Sequence, residues 1–310
     1  MTSHWWILLG AILVAYPALG QTGPAPARQA IPGAPTNSPV EVEYQKLQAQ
    51  DDAAQAEVDR WTRQNNDAKA NGGGISDSDQ EKRIRERVAP VSKAYEDFLK
   101  RYPEHARAHL AYGCFLNDRE DETGARREWE KALELEPKNA DVYNNLAGSY
   151  TETGPAGKAF DFYTKAIELN PTQALYYQNF ANSLYVLRKR GMTHYGLDER
   201  QIFAKIIQLY SNSVRLEPTN FSYALNLGQT YYSMRPFPAE SALTAWSNTL
   251  QHVSNQIQRE EVLIHLARVQ MLAGRYEPAY ALLASVTNRE NFVLKSNLLH
   301  NIELRKNEEK

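Results

Sequence analysis

Apolar and small residues return at helical spacing through the middle of the chain. Tyr143, Leu146, Ala147 and Tyr150 fall three, four and seven apart, which places them on one side of a helix, and Ala159, Tyr163 and Ala166 do the same on a second. Gly154-Pro155 lies between the two runs, with glycine suited to a helix exit and proline to the first position of the next helix. The segment therefore reads as a helical hairpin. The same offsets hold His109, Tyr112-Gly113 and Leu116, then Ala125, Trp129 and Ala132, one interval earlier, and Pro103, Pro137 and Pro171 close intervals of 34 residues. A chain that repeats at this period is an array of hairpins, each burying its apolar face on the next. The small residues Gly113 or Ala147 and Ala125 or Ala159 are expected to let two backbones approach, with the aromatics filling space between successive hairpins.

Later intervals keep the pattern with changes of length. A third holds Tyr177, Phe180-Ala181 and Leu184, then Tyr210, Ser213 and Pro218, but spans 47 residues, so thirteen extra residues lie at 188–200. A fourth holds Ala224, Leu227-Gly228, Tyr231, Ala242 and Trp246, with Arg235-Pro236-Phe237-Pro238 in its connection, and a fifth holds Leu263, Leu266-Ala267, Ala279, Leu283 and Val286 around Ala273-Gly274-Arg275. Residues 291–310 carry Phe292, Leu294, Leu298, Leu299 and Ile302 before a polar tail, as expected of a helix that covers the last apolar face.

These landmarks resemble the tetratricopeptide (TPR) repeat, W-x2-L-G-x2-Y, A-x3-F and P, over residues 91–290. The resemblance implies an all-α fold, a right-handed TPR superhelix (α-solenoid) of about five helical hairpins with a C-terminal capping helix. It also implies a concave groove lined by the first helix of each unit. Carried onto this chain, the groove positions are Asn144, Asn145, Thr151 and Glu152, then Gln178, Asn179, Asn182 and Tyr185, then Asn226, Gln229, Tyr232 and Ser233. Asn144, Asn145, Gln178, Asn179, Asn182, Tyr185, Asn226, Gln229 and Tyr232 are the partner-binding candidates. Amides both donate and accept, so such a row can satisfy a peptide backbone, and the tyrosines add flat apolar area. In the competing reading, Asn145, Asn179 and Asn226 bond neighbouring helices instead. The TPR clamps that hold chaperone carboxyl termini use Lys, Arg and Asn. Leu110, Cys114, Leu175 and Asn179 stand at those places here, and Asn145 alone fits.

The ends of the chain differ from the array. Trp5 to Tyr16 is an apolar run followed by Pro17-Ala18-Leu19-Gly20-Gln21, with small residues at the minus-three and minus-one places of a signal-peptidase site. The expectation is a signal peptide at 1–20 and a periplasmic or secreted protein, although Met1-Thr2-Ser3-His4 lacks Lys and Arg. Membrane anchoring by residues 5–20 is the alternative, and the run is short against the ~20 residues of a spanning helix. Residues 21–40 hold five prolines and read as a disordered linker. Tyr44, Leu47, Ala54, Val58, Trp61 and Ala68 then recur at three-and-four spacing across 41–70, interrupted by Asp51 and Asn65. That segment is an amphipathic helix or a weak coiled coil for self-association. Residues 71–76 are a Gly-rich break, and 77–102 carry leading helices, with Ser78 and Glu81 as a capping box and Pro90 as an interruption.

Composition adds little to this picture. The 310 residues hold 42% apolar side chains and a formal charge of -2, which gives no global pull toward nucleic acid. Residues 104–171 are net -5 and residues 172–218 net +3, a gradient that a partner or ordinary solvated helix faces would equally explain. The single cysteine, Cys114, excludes an intramolecular disulfide. Phosphate-loop, G-x-S-x-G, H-E-x-x-H and C-x-x-C signatures are absent, His105 with His109 makes two ligands and no metal site, and no cofactor is expected. The sequence thus predicts a non-enzymatic, exported scaffold that binds a protein or peptide. The alternative is an oligomeric envelope assembly or structural factor that self-associates through 41–70.

Overall fold

The computed structural model describes residues 38–308, and its regular structure is helical throughout. The expected signal peptide and nearly all of the Pro-rich linker lie outside the described residues. The chain divides into two compact units, and the division falls inside one helix, between Ser149 and Tyr150.

The first unit holds α1 (Pro39–Ala70), α2 (Asp77–Arg101), α3 (Ala106–Asn117), α4 (Glu122–Leu135) and most of α5 (Ala140–Thr153). Ser38 caps α1 by accepting the Glu41 N–H at 3.2 Å, so the helix starts ahead of position 41 with Pro39 in its first turn. The seam of α1 is spent inside the unit. Tyr44, Leu47, Ala54 and Val58 are buried, and the Tyr44 hydroxyl donates to the Arg107 carbonyl on α3 at 3.1 Å. Those four side chains are therefore used within the unit, while Trp61 and Ala68 further along the seam are half-buried. Its two polar interruptions are anchor points: the Tyr95 hydroxyl of α2 donates to Asp51 Oδ2 at 2.6 Å, and Asn65 accepts from Ile75 N–H at 2.8 Å while donating to Ile75 O at 3.3 Å. Tyr95→Phe removes a buried donor from a carboxylate and is expected to lower stability by about 1–2 kcal/mol. Tyr102→Phe, whose hydroxyl meets Glu43 at the surface, should cost under about 0.5 kcal/mol. Equal losses in urea melts of the two variants would remove Asp51–Tyr95 as the lock of this hairpin.

Two details of α2 differ from the sequence reading. Its N-cap is Ser76, which accepts the Asp79 N–H at 3.1 Å, and not Ser78. Pro90 sits within the helix without ending it, because Val88, Val91, Tyr95, Phe98 and Leu99 on both sides of it are buried. Each such side chain contributes about 1.5–3 kcal/mol, more than the one hydrogen bond that proline forgoes.

In the hairpin of α3 and α4, Gly113 makes room for a ring. A Cβ at Gly113 would stand 2.4 Å from Cδ1 of Trp129, which is 2% exposed. The small residue admits an indole inside its own hairpin, where close backbone approach was expected. His109 is equally local: one ring nitrogen lies 2.7 Å from Glu128 Oε2 and the other 2.9 Å from the Pro103 carbonyl. His105 caps α3 through Nδ1, accepting from Ala108 N–H at 3.1 Å.

The second unit runs from the last turn of α5 through α6 (Ala156–Leu169), α7 (Ala174–Val186), α8 (Arg188–Tyr195), α9 (Glu199–Leu216), α10 (Phe221–Thr230), α11 (Ala239–Leu250), α12 (Gln256–Leu272), α13 (Tyr276–Ala284) and α14 (Phe292–Glu308). Short 3-10 turns at Tyr231–Ser233 and Arg289–Asn291 follow α10 and precede α14. The hairpins here are α7 with α9, α10 with α11 and α12 with α13, and α14 packs on α12 and α13. Leu298 and Ile302 of α14 are buried against them, while Phe292, Val293, Leu294 and Leu304 are exposed, so the capping face is narrower than the apolar content of the segment suggested. Most of the extra residues at 188–200 form α8, a helix seated on α6 and α9. α9 then restarts from a capping box: Gln201 N–H donates to Asp198 Oδ1 at 2.8 Å and Asp198 N–H to Gln201 Oε1 at 2.9 Å.

Candidate functional site

Several of the residues expected to face a partner instead face other helices. In the first unit Asn144 is buried and donates to Asn145 Oδ1 at 3.3 Å, and Asn145 donates to Cys114 Sγ on α3 at the same distance. Asn145 thereby ties α5 to α3.

In the second unit Gln178, Asn182 and Tyr185 stand four and seven apart and share one side of α7. That side meets α9 and the turn after α10. Ser213 Oγ donates to Gln178 Oε1 at 3.1 Å, the Tyr210 hydroxyl donates to Asn182 Oδ1 at 2.6 Å, and Tyr185 packs edge-on against Phe203 with ring centroids 6.2 Å apart. Gln178 is 4% exposed and does not reach solvent. The Tyr185 hydroxyl also lies 2.5 Å from Ser233 Oγ and so bridges the first helices of two consecutive hairpins.

Tyr232 belongs to the interior as well. Its ring stacks on Phe237 and Trp246, its hydroxyl is 3.2 Å from His265 Nδ1, and burial pushes its pKa upward. His265 lies flat on Trp246, with centroids 4.1 Å apart and planes 3° apart. Burial, helped by the charge of Arg268, lowers the His265 pKa to about 3, which keeps the imidazole neutral at ordinary pH. Two of the candidates, Gln178 and Tyr232, therefore hold the unit together.

What the first helices leave accessible is a pair of stripes. On α7, Leu175, Asn179 and Asn182 are half-buried and Val186 is 39% exposed, at successive spacings of four, three and four. On α10 and its closing turn, Ser222, Asn226, Gln229 and Ser233 repeat that spacing, with the two serines exposed and the two amides half-buried. Tyr185–Ser233 ties the two helices at one end of the stripes. The surface so formed is uncharged and rich in amides, with Leu175 and Val186 adding apolar area. Asn182 spends its oxygen on Tyr210 and keeps its amide N–H groups. Asn179, Asn182, Asn226 and Gln229 are thus the predicted residues that lie on these two stripes, and Tyr185 links them through Ser233. Ser233, already among the groove positions, and Leu175, Val186 and Ser222, which were not, complete them. The spacing of four, three and four was the signal available for them in the sequence.

Among the described residues no three His, Cys, Asp or Glu side chains gather as a metal site, and no helix is long and apolar enough to cross a membrane.

Comparison with known proteins places this fold. The family model "Tetratricopeptide repeat" matches residues 140–173. The peroxisomal targeting signal receptor of Saccharomyces cerevisiae is 24% identical over 215 residues, which are 65% of this chain and 34% of the receptor, so the chain spans about a third of that protein's length. The structure of YrrB, described as a TPR protein with an unusual peptide-binding site, superposes with a TM-score of 0.51 at 13% identity, covering 70% of this chain and 99% of YrrB. PilF of Pseudomonas aeruginosa gives 0.48 at 18% identity, covering 76% of this chain and 91% of PilF. Hairpins at the repeat interval, the small-residue and tryptophan contact inside them and the match at 140–173 agree: residues 140–173 are a tetratricopeptide repeat, and the chain has the all-helical architecture of a TPR solenoid.

Proposed function

We propose that this protein is a non-enzymatic, exported scaffold that holds an extended peptide or protein segment along α7 and α10 of its second unit. The observation that carries the reading is the pair of matched stripes, Leu175, Asn179, Asn182 and Val186 beside Ser222, Asn226, Gln229 and Ser233. Amide and hydroxyl groups in two rows can meet both the N–H and C=O groups of an extended backbone, and an uncharged floor avoids the desolvation cost of buried ions. The TPR fold is compatible with protein–protein interaction. The description of YrrB as a peptide-binding protein and of the yeast relative as a receptor for a targeting signal supports a polypeptide ligand. The export half of the proposal rests on the apolar run and small residues at 5–20.

The test is affinity capture with the full chain from fractionated cells. Ser222→Lys with Gln229→Lys puts bulk and charge on the α10 stripe at exposed or half-buried positions, where the stability cost should stay within about 1 kcal/mol. The wild type and a Glu168→Lys control on α6 should retain the partner, and the double variant should lose it. A folded double variant that keeps the partner defeats the peptide reading, and recovery of the native chain from the cytosol alone defeats export.

A further inference from the structure

The insertion helix α8 is seated with a specificity that loop decoration does not need. Gly191 lies so close to Leu184 that a Cβ there would be 2.5 Å from Cδ1 of that side chain. Tyr195 stacks on Phe160 at 5.9 Å, His194 meets the same ring edge-on at 5.5 Å, and Lys205 of α9 lies 4.6 Å from the Tyr195 ring centroid. One side of α8 is therefore pinned to α6, α7 and α9. The other side carries Lys189, Arg190 and Thr193, all exposed, and borders an open depression of about 500 Å³ whose remaining walls are Ala156, Gly157 and His194.

The charges in this patch are unbalanced. Arg188, Lys189 and Arg190 occupy the first turn of α8, which has no acidic residue, and none of the three has an ion-pair partner among the described residues. The acid that meets the patch is Asp161, whose Oδ1 lies 3.3 Å from His194 Nε2. Cations in a first helical turn oppose the helix dipole and repel one another, so a chain selected for stability alone would place acids there. An anionic partner offsets both costs.

We propose that this face of α8 docks an acidic segment of a partner polypeptide, with carboxylates of that segment seated over Lys189, Arg190 and Thr193. The patch is one short helix wide, and its one accessible ring, His194, is engaged by Phe160 and Asp161, whereas nucleic-acid footprints need an extended basic stripe or free stacking rings. Its three uncompensated cations also fall short of the larger Lys/Arg clusters that hold proteins on anionic membranes. The patch residues lie on α8, whereas the stripes lie on α7 and α10, and Leu184, the α7 side chain that Gly191 meets, is buried and belongs to neither stripe.

Fluorescence anisotropy on the full chain tests this, with a labelled oligoglutamate peptide as probe and oligoglutamine as its uncharged counterpart. Oligoglutamate should bind with an affinity that falls as salt rises, and oligoglutamine should not. Lys189→Glu with Arg190→Glu should weaken oligoglutamate binding by at least about tenfold. The exposed pair Lys82→Glu with Arg85→Glu on α2 should leave it unchanged. Lys189→Gln with Arg190→Gln, expected to give an intermediate loss, supplies the readout where circular dichroism shows that charge reversal unfolds the chain. Absence of oligoglutamate binding, equal binding by the reversed variant, tighter binding of duplex DNA or anionic vesicles, or full competition by inorganic phosphate at matched charge would each overturn the assignment. The Ser222→Lys and Gln229→Lys variant should still bind oligoglutamate, which keeps this result distinct from the fate of the α10 stripe.

Discussion

Trp246→Ala is expected to lower the stability of the folded chain by about 3–5 kcal/mol and its Tm by roughly 10 °C. Trp246 has no exposed surface and fills the space between α10, α11 and α12. Its ring presses on Gly228, where a Cβ would stand 2.4 Å from Cζ2, and lies flat against the buried His265. Removing the indole strips contacts from both neighbours and opens a cavity lined by rings that cannot collapse into it. The glycine supplies a sharper test than the loss itself. Gly228→Leu in the native background drives a side chain into a rigid ring and should cost about 1–3 kcal/mol or more. In the Trp246→Ala background the same leucine has a space to occupy and should recover about 1–2 kcal/mol of the deficit. Simple additivity of the two changes in denaturant melts would show that the indole and glycine do not share one volume. The first unit repeats the contact with Gly113 under Trp129, so the lock recurs in both halves of the chain.

The hairpins could be read in the sequence because their signals are local. Tyr143, Leu146, Ala147 and Tyr150 describe one side of one helix, and Gly154-Pro155 describes one turn. What eluded the reading depends on partners far along the chain. Asp51 reads as a break in an apolar seam because its donor, Tyr95, is 44 residues away, and that bond turns this stretch of the seam toward α2. Gln178 looked like a groove residue because polar side chains usually face water. It is buried because Ser213, 35 residues on, gives it a hydrogen bond. Gly113 and Gly228 were recognisable as small, but smallness does not say whether a backbone or an indole needs the space. The extra length at 188–200 was plain, whereas its helicity was hidden by Gly191, a poor helix former that the contact with Leu184 requires.

Glu260→Gln is expected to destabilise the chain by about 3 kcal/mol at neutral pH, with a pH signature that identifies the cause. Glu260 is wholly buried in α12 and reaches past the end of α13: Oε2 accepts the Asn288 N–H at 2.8 Å, and Oε1 accepts from Thr287 Oγ1 at 3.1 Å and from Gln256 Nε2 at 3.0 Å. One carboxylate thereby fixes the connection that leads into α14. Burial works against its charge, but the converging donors outweigh burial and hold the pKa down to about 2, against 4.5 for a free carboxyl. A depressed pKa contributes stability that is complete above about pH 4.5 and is lost as pH falls through about 2. The stability gap between wild type and Glu260→Gln should therefore be constant from neutral pH to about 5 and close progressively below that. His265, which acid must protonate between about pH 6.5 and 3, destabilises both proteins alike and cancels from the difference. A gap that persists unchanged at the lowest pH would mean that the glutamine fails through its shape, and that the charge of Glu260 does not hold the C-terminal cap in place.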